Sequence, residues 1–129
     1  MIRKLLLIFV VSISSIATAD WKTIEDHWYG ASIAGAKSGW VHTTVEQEGD
    51  MIRSSTLQQL SISRGEIVIE LEISSEFIET RGGEPVSVHT VQKVSGIQMS
   101  ESTWNFTNSG IEMTSIAGAS PVTKKLPLP

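Results

Sequence analysis

Residues 65–80, GEIVIELEISSEFIET, carry the clearest hydrophobic pattern in the chain. Ile67, Ile69, Leu71, Ile73 and Phe77 alternate with Glu70, Glu72, Ser74 and Glu76. Strict period-2 alternation puts the first set on one face of a strand and the second on the other. A helix would scatter the same isoleucines around its circumference. β-branched residues also suit a pleated, half-buried surface. The strand is long, against about 5–6 residues for most strands, and it needs long neighbours.

The flanking sequence supplies them. Residues 28–34 and 40–47 predict two strands around a loop, residues 35–39, with glycine at both ends, a plausible hairpin turn. In the second strand Trp40, His42, Thr44 and Glu46 share one face. Residues 51–63 predict the third strand. Its alternation breaks, because Leu57 opposes Leu60 and Ile62, and a β-bulge near Gln58-Gln59 would restore the pattern. The stretch 65–80 is the fourth strand. Residues 85–94, 97–107 and 111–116 follow, separated by Gly82-Gly83, Ser95-Gly96 and Asn108-Ser109-Gly110. Upstream, Trp21, Ile24 and Trp28 have rough helical spacing, which allows one helical turn within residues 20–27. Downstream, Pro121, Pro127 and Pro129 make residues 119–129 an edge segment or a linker, not a central strand.

About seven strands joined by short turns describe an all-β antiparallel meander. No helical window is long enough for a βαβ crossover, which argues against a parallel sheet. A long, twisted meander curls into a barrel or half-barrel, or splits into a sandwich. The local connections favour the curled sheet, since a Greek key needs a long connection.

The first nineteen residues change the picture of where this sheet works. Arg3 and Lys4 precede an apolar run over residues 5–16, and Ala17-Thr18-Ala19 fits the small-residue rule for cleavage before Asp20. The run is shorter than the roughly 20 residues needed to span a bilayer. Residues 1–19 are therefore expected to be a cleaved signal peptide, residues 20–118 the β domain and residues 119–129 a Pro-rich tail or linker. The expected location is periplasmic or secreted, with no membrane attachment after cleavage. Removing Arg3 and Lys4 leaves eight basic residues against fourteen acidic, a net charge of −6. That sign argues against nucleic acid and anionic lipid as partners. The absence of cysteine removes disulfides, thiolate metal sites and cysteine nucleophiles together.

The candidate chemistry is sparse. His42 shares a face with Trp40 and with Glu46, but four strand residues span about 13 Å, too far for His42 and Glu46 to pair. A cross-strand polar contact beside a tryptophan is the expected role of His42. His27 and His89 lie far from it in sequence, with no short-range ligand spacing, so no metal and no cofactor are expected. Glu70, Glu72 and Glu76 sit at alternate outward positions, about 6.6 Å apart for neighbours, a spacing that glycoside chemistry permits. A solvated face gives no burial to raise one carboxyl, and the reaction requires that split. No Gly-x-Ser-x-Gly elbow, phosphate loop or His-Glu-x-x-His occurs. No catalytic residue is assigned. Trp40, His42 and Trp104 form a candidate ligand face.

Trp28-Tyr29-Gly30, followed by residues 35–46 (GAKSGWVHTTVE), resembles the start of the N-terminal β domain of exported bacterial transglutaminase-like proteins. The stretches Phe77-Ile78-Glu79-Thr80 and Gly82-Gly83-Glu84-Pro85 are similar to that domain's midsection. The resemblance implies a non-catalytic exported β domain that accompanies a downstream Cys-His-Asp catalytic domain, with this chain a truncated or split product. This chain has no cysteine, so it carries no part of that catalytic set. The alternative expectation is a stand-alone periplasmic carrier whose curled sheet holds an apolar, acyl-like ligand. An enzyme in its own right has no support among the residues.

Overall fold

The computed structural model describes residues 20–117 and 120–127, and the expected signal peptide lies outside the described residues. The described residues form eight strands: β1 (Lys22–Ile33), β2 (Ala36–Glu48), β3 (Met51–Arg64), β4 (Ile67–Thr80), β5 (Pro85–Val94), β6 (Ile97–Thr107), β7 (Gly110–Ala117) and β8 (Ser120–Leu126). They lie side by side in chain order in one antiparallel sheet. The sheet is open, with β1 and β8 each paired to a single neighbour.

Turn chemistry explains the tight connections. Five of the six described links are two residues long. Ala34-Gly35 and Ser95-Gly96 both hold positive φ at both positions, 51° and 79°, then 48° and 80°. Two successive left-handed residues give a backbone twist that matches the strands of a hairpin. In both turns glycine takes the larger angle, where it carries no steric cost.

The strand alternation read in β4 is the one observed. Ile69 pairs with Ile62, Leu71 with Leu60 and Phe77 with Ser54. Directly paired residues share a face, so the register carries the β4 faces across the sheet. One face, here called the apolar face, bears Val41, Leu60, Leu71, Ile73, Phe77, Val88, Trp104 and Met113 in the body of the sheet. The opposite, polar face bears Glu46, Arg53, Glu72, Glu76, His89, Lys93 and Glu101.

Three expectations are corrected. Residues 22–27 are strand, not a helical turn. Ile24 is an extra residue between Thr23 and Glu25, which face Glu46 and Val45. That bulge shifts the alternation by one and gives Trp21, Ile24 and Trp28 their helix-like spacing. The bulge expected at Gln58-Gln59 does not exist: β3 pairs without interruption with both β2 and β4. Leu57 simply points to the polar face, opposite His42 and Ser74. Finally, residues 35–39 are not a loop. The turn is Ala34-Gly35 alone, and Ser38 is a bulge residue within β2, between Lys37 and Gly39. Within the Pro-rich end, Ser120–Leu126 form the edge strand β8, with Pro121 opposite Ile116. An edge tolerates proline because the missing N–H faces away from the ladder.

The sheet is a single layer. Among the described residues no hydrophobic and no polar side chain is buried. Ile67 is 65% exposed and Ile69 41%. A packed domain sets its apolar stripe against a second layer, and among the described residues neither face has one.

Candidate functional site

The alternation of β2 points Trp40 and His42 to the polar face. The register of β1 sets Trp28 directly opposite His42. The three rings form one cluster. Trp28 and His42 stack nearly parallel, 3.9 Å between centroids at 10°, and Trp28 meets Trp40 at 5.1 Å and 50°. His42 Nε2 donates to Asp26 Oδ1 at 2.7 Å, so the carboxylate sits diagonally across β1 and fixes the ring. Trp104 is not part of this group. It pairs with Val88 and Met113 and lies on the apolar face. The expected ligand trio therefore splits into two residues on one face and one on the other.

Alternation within a strand reveals which residues share a face. It does not reveal how separate strands align, and that information lies in the register. The same limit hid Trp28, which completes the cluster. A signal was present in the sequence, since Trp28-Tyr29 and Trp40-Val41-His42 flank one short turn. A hairpin with that turn at Ala34-Gly35 puts Trp28 opposite His42.

Further along the polar face the charges are tied in pairs. Arg53 Nε donates to Glu46 Oε2 at 2.6 Å and Nη2 donates to the same oxygen. The Arg53 guanidinium also lies 4.3 Å from the Trp21 ring centroid. Gln59 donates to Glu72 at 3.0 Å, and Lys93 Nζ lies 3.4 Å from the other Glu72 oxygen. The Gln59 amide, with Lys93 beside it, holds the Glu72 carboxyl below the usual carboxylate range. His89 donates to Glu101 at 2.7 Å and Gln98 donates at 3.0 Å, and His89 followed by Gln98 likewise lowers Glu101. A general acid at neutral pH needs its carboxyl raised. Glu72 moves the other way.

Two hollows open on this face. One of about 280 Å³ is bounded by Trp40, Gln59, Glu70, Glu72 and Lys93, with Leu71 beneath. The other, about 240 Å³, is bounded by His42, Thr44, Leu57, Ser74, Glu76 and His89. Both are shallow and mix polar with apolar walls. The hydrogen bonds of the His42 and His89 rings go to carboxylates, so each imidazole is held by a carboxylate with no hydroxyl nucleophile attached. Among the described residues no group of three or more His, Asp or Glu side chains is placed to hold a metal.

Comparison with protein families, with curated proteins and with solved structures finds no match.

Proposed function

We propose that this chain is a non-catalytic exported β module that works by association and accompanies a transglutaminase-like domain. One observation carries the reading: among the described residues a long single-layer sheet presents a face rich in apolar side chains, none of them buried. Such a face is stable in water when another folded surface covers part of it. The resemblance of residues 28–30, 35–46, 77–80 and 82–85 supplies the kind of companion. The tied charges of the polar face support the non-catalytic part. Carboxylates bound by Gln59, Lys93, His89 and Gln98 are held ionised rather than poised to give up a proton.

The test is calorimetric titration of the purified protein with a Cys-His-Asp transglutaminase-like domain from the same genome. Saturable binding with a negative heat-capacity change supports the reading, because burial of apolar surface gives that sign. No heat with the domain, together with a saturable blue shift of tryptophan emission on adding a fatty acid, replaces it by the carrier reading.

A further inference from the structure

We infer that the apolar face is an interface between two copies of this chain, packed sheet on sheet into a two-layer sandwich. The two faces differ in charge. On β2, β5, β6 and β7 the apolar face carries no charged residue; Arg64 and Glu79 lie at the ends of β3 and β4, and Lys22, Glu25 and Lys124 on the edge strands. The polar face carries Glu46, Arg53, Glu72, Glu76, Lys93, Glu101 and Glu112 in its body. Depletion of charge is the compositional mark of an interface core.

The face is also self-complementary. A row of hydroxyls crosses its middle, running Thr43, Thr56, Ser75, Thr90, Ser102 and Ser115 through successive cross-strand pairs. Leu60, Leu71, Ile73, Val94 and Ile97 lie on one side of the row, and Val45, Phe77, Val88, Trp104 and Met113 on the other. A two-fold axis along the row lays hydroxyls on hydroxyls, which both donate and accept. The same axis lays Val41 on Val45, Leu60 on Ile52, Ile73 on Phe77 and Ala117 on Met113 of the second copy, while Gln92 meets Val88, Ser100 meets Trp104 and Leu71 meets Glu79. Isologous contacts require this kind of match.

The area suffices. Six strands about 4.8 Å apart and about ten residues long give roughly 1,000 Å² of face on each copy. Two copies bury roughly 2,000 Å² in total, where standard interfaces end and obligate homodimers begin. The two sheets would align within about 30°, some 10 Å apart. This leaves the polar face and its hollows open to other partners.

The chain lacks cysteine, so single thiols report cleanly. Ser75 lies at the centre of the apolar face, and Ser74 lies beside it on the polar face. Ser75→Cys and Ser74→Cys are each treated with a short bis-maleimide, and the unsubstituted protein is run by sedimentation equilibrium. The dimer predicts a dimeric mass and about tenfold more cross-linked product for Ser75→Cys than for Ser74→Cys, because adjacent strand residues point to opposite faces. Equal cross-linking of two variants with native circular dichroism, or a monomeric mass at micromolar concentration, overturns it. The inference gives the apolar face to a second copy, so a companion domain would have to dock on the polar face or the sheet edges, and the two readings fail separately. A monomer that binds the transglutaminase-like domain removes the dimer alone, and a dimer that binds no such domain removes the companion alone.

Discussion

Gly39→Ala tests the register at the heart of the sheet. Gly39 faces Ala31 on β1 and Leu60 on β3, one residue after the Ser38 bulge. A β-carbon there would run into the Gln59 peptide, with the Gln59 carbonyl carbon at 2.8 Å and Leu60 Cα at 3.0 Å. These are backbone atoms, so no side chain can swing away. Either β2 or β3 must move. Overpacking of this kind costs about 1–3 kcal/mol, and each ladder hydrogen bond stretched by the shift adds about 1 kcal/mol. Stiffening of the unfolded chain returns roughly 0.4–1 kcal/mol. The net loss is about 2 kcal/mol, a large share of the roughly 5–15 kcal/mol that holds a small domain. Gly30→Ala is the control, because a β-carbon on Gly30 meets nothing within 4 Å. It should leave stability unchanged or raise it by up to about 1 kcal/mol. Urea unfolding followed by tryptophan emission, at one fixed protein concentration, reads both. The Gly39 variant should unfold at about 1–2 M lower urea. Equal midpoints for the two variants would refute the pairing of Gly39 with Leu60.

Other outcomes follow from the ion pairs and from the proposed signal peptide. Arg53→Lys should lose about 1 kcal/mol and free the Trp21 ring, because a lysine keeps the charge but not the fork or the stacked plane; stability and Trp21 emission are the readouts. Glu72 and Glu101 titrate below their ordinary value of 4.5 in the folded chain. The unfolded state then binds more protons under acid conditions, so their contribution is present above about pH 4.5 and is lost as pH falls through the lowered folded values. Gln59→Ala should move Glu72 back up, seen by carboxyl NMR titration; an unmoved Glu72 would show that Gln59 is not the cause. Intact-mass measurement of the exported protein should give a chain beginning at Asp20, and a bulky residue at position 19 should leave precursor.

The sequence spoke plainly where one residue in two was apolar. The β4 faces were legible from Ile67 to Phe77, and the ends of β3, β5 and β6 fall within a residue of the expected positions. Legibility failed at bulges and edges. The Ile24 bulge disguised β1 as a helical turn, and Pro121 left β8 undecided between strand and linker. Leu57 misled for a different reason. A single-layer sheet leaves both faces half-open, so an apolar residue on the polar side needs no bulge to correct it. At the candidate site, Trp40 and His42 were correctly joined by alternation within one strand. Trp104 was wrongly joined to them and Trp28 was left out, because both positions depend on pairing between strands.

The strictly sequential strand order has a kinetic and mechanical meaning. Among the described residues every strand pairs only with the strand before and after it in the chain. Contacts of short sequence separation close small loops, so an all-β chain of this topology should fold faster than sandwiches whose partners lie far apart. Nearest-neighbour coupling also makes the sheet a linear array, in which folding can begin at any hairpin and spread in both directions. Unfolding should then run inward from the ends. β1 and β8, each anchored along one side only, would exchange their amide protons first, and β3 with β4 last. Under tension applied at the termini, the strands should peel away one at a time rather than shear as a block.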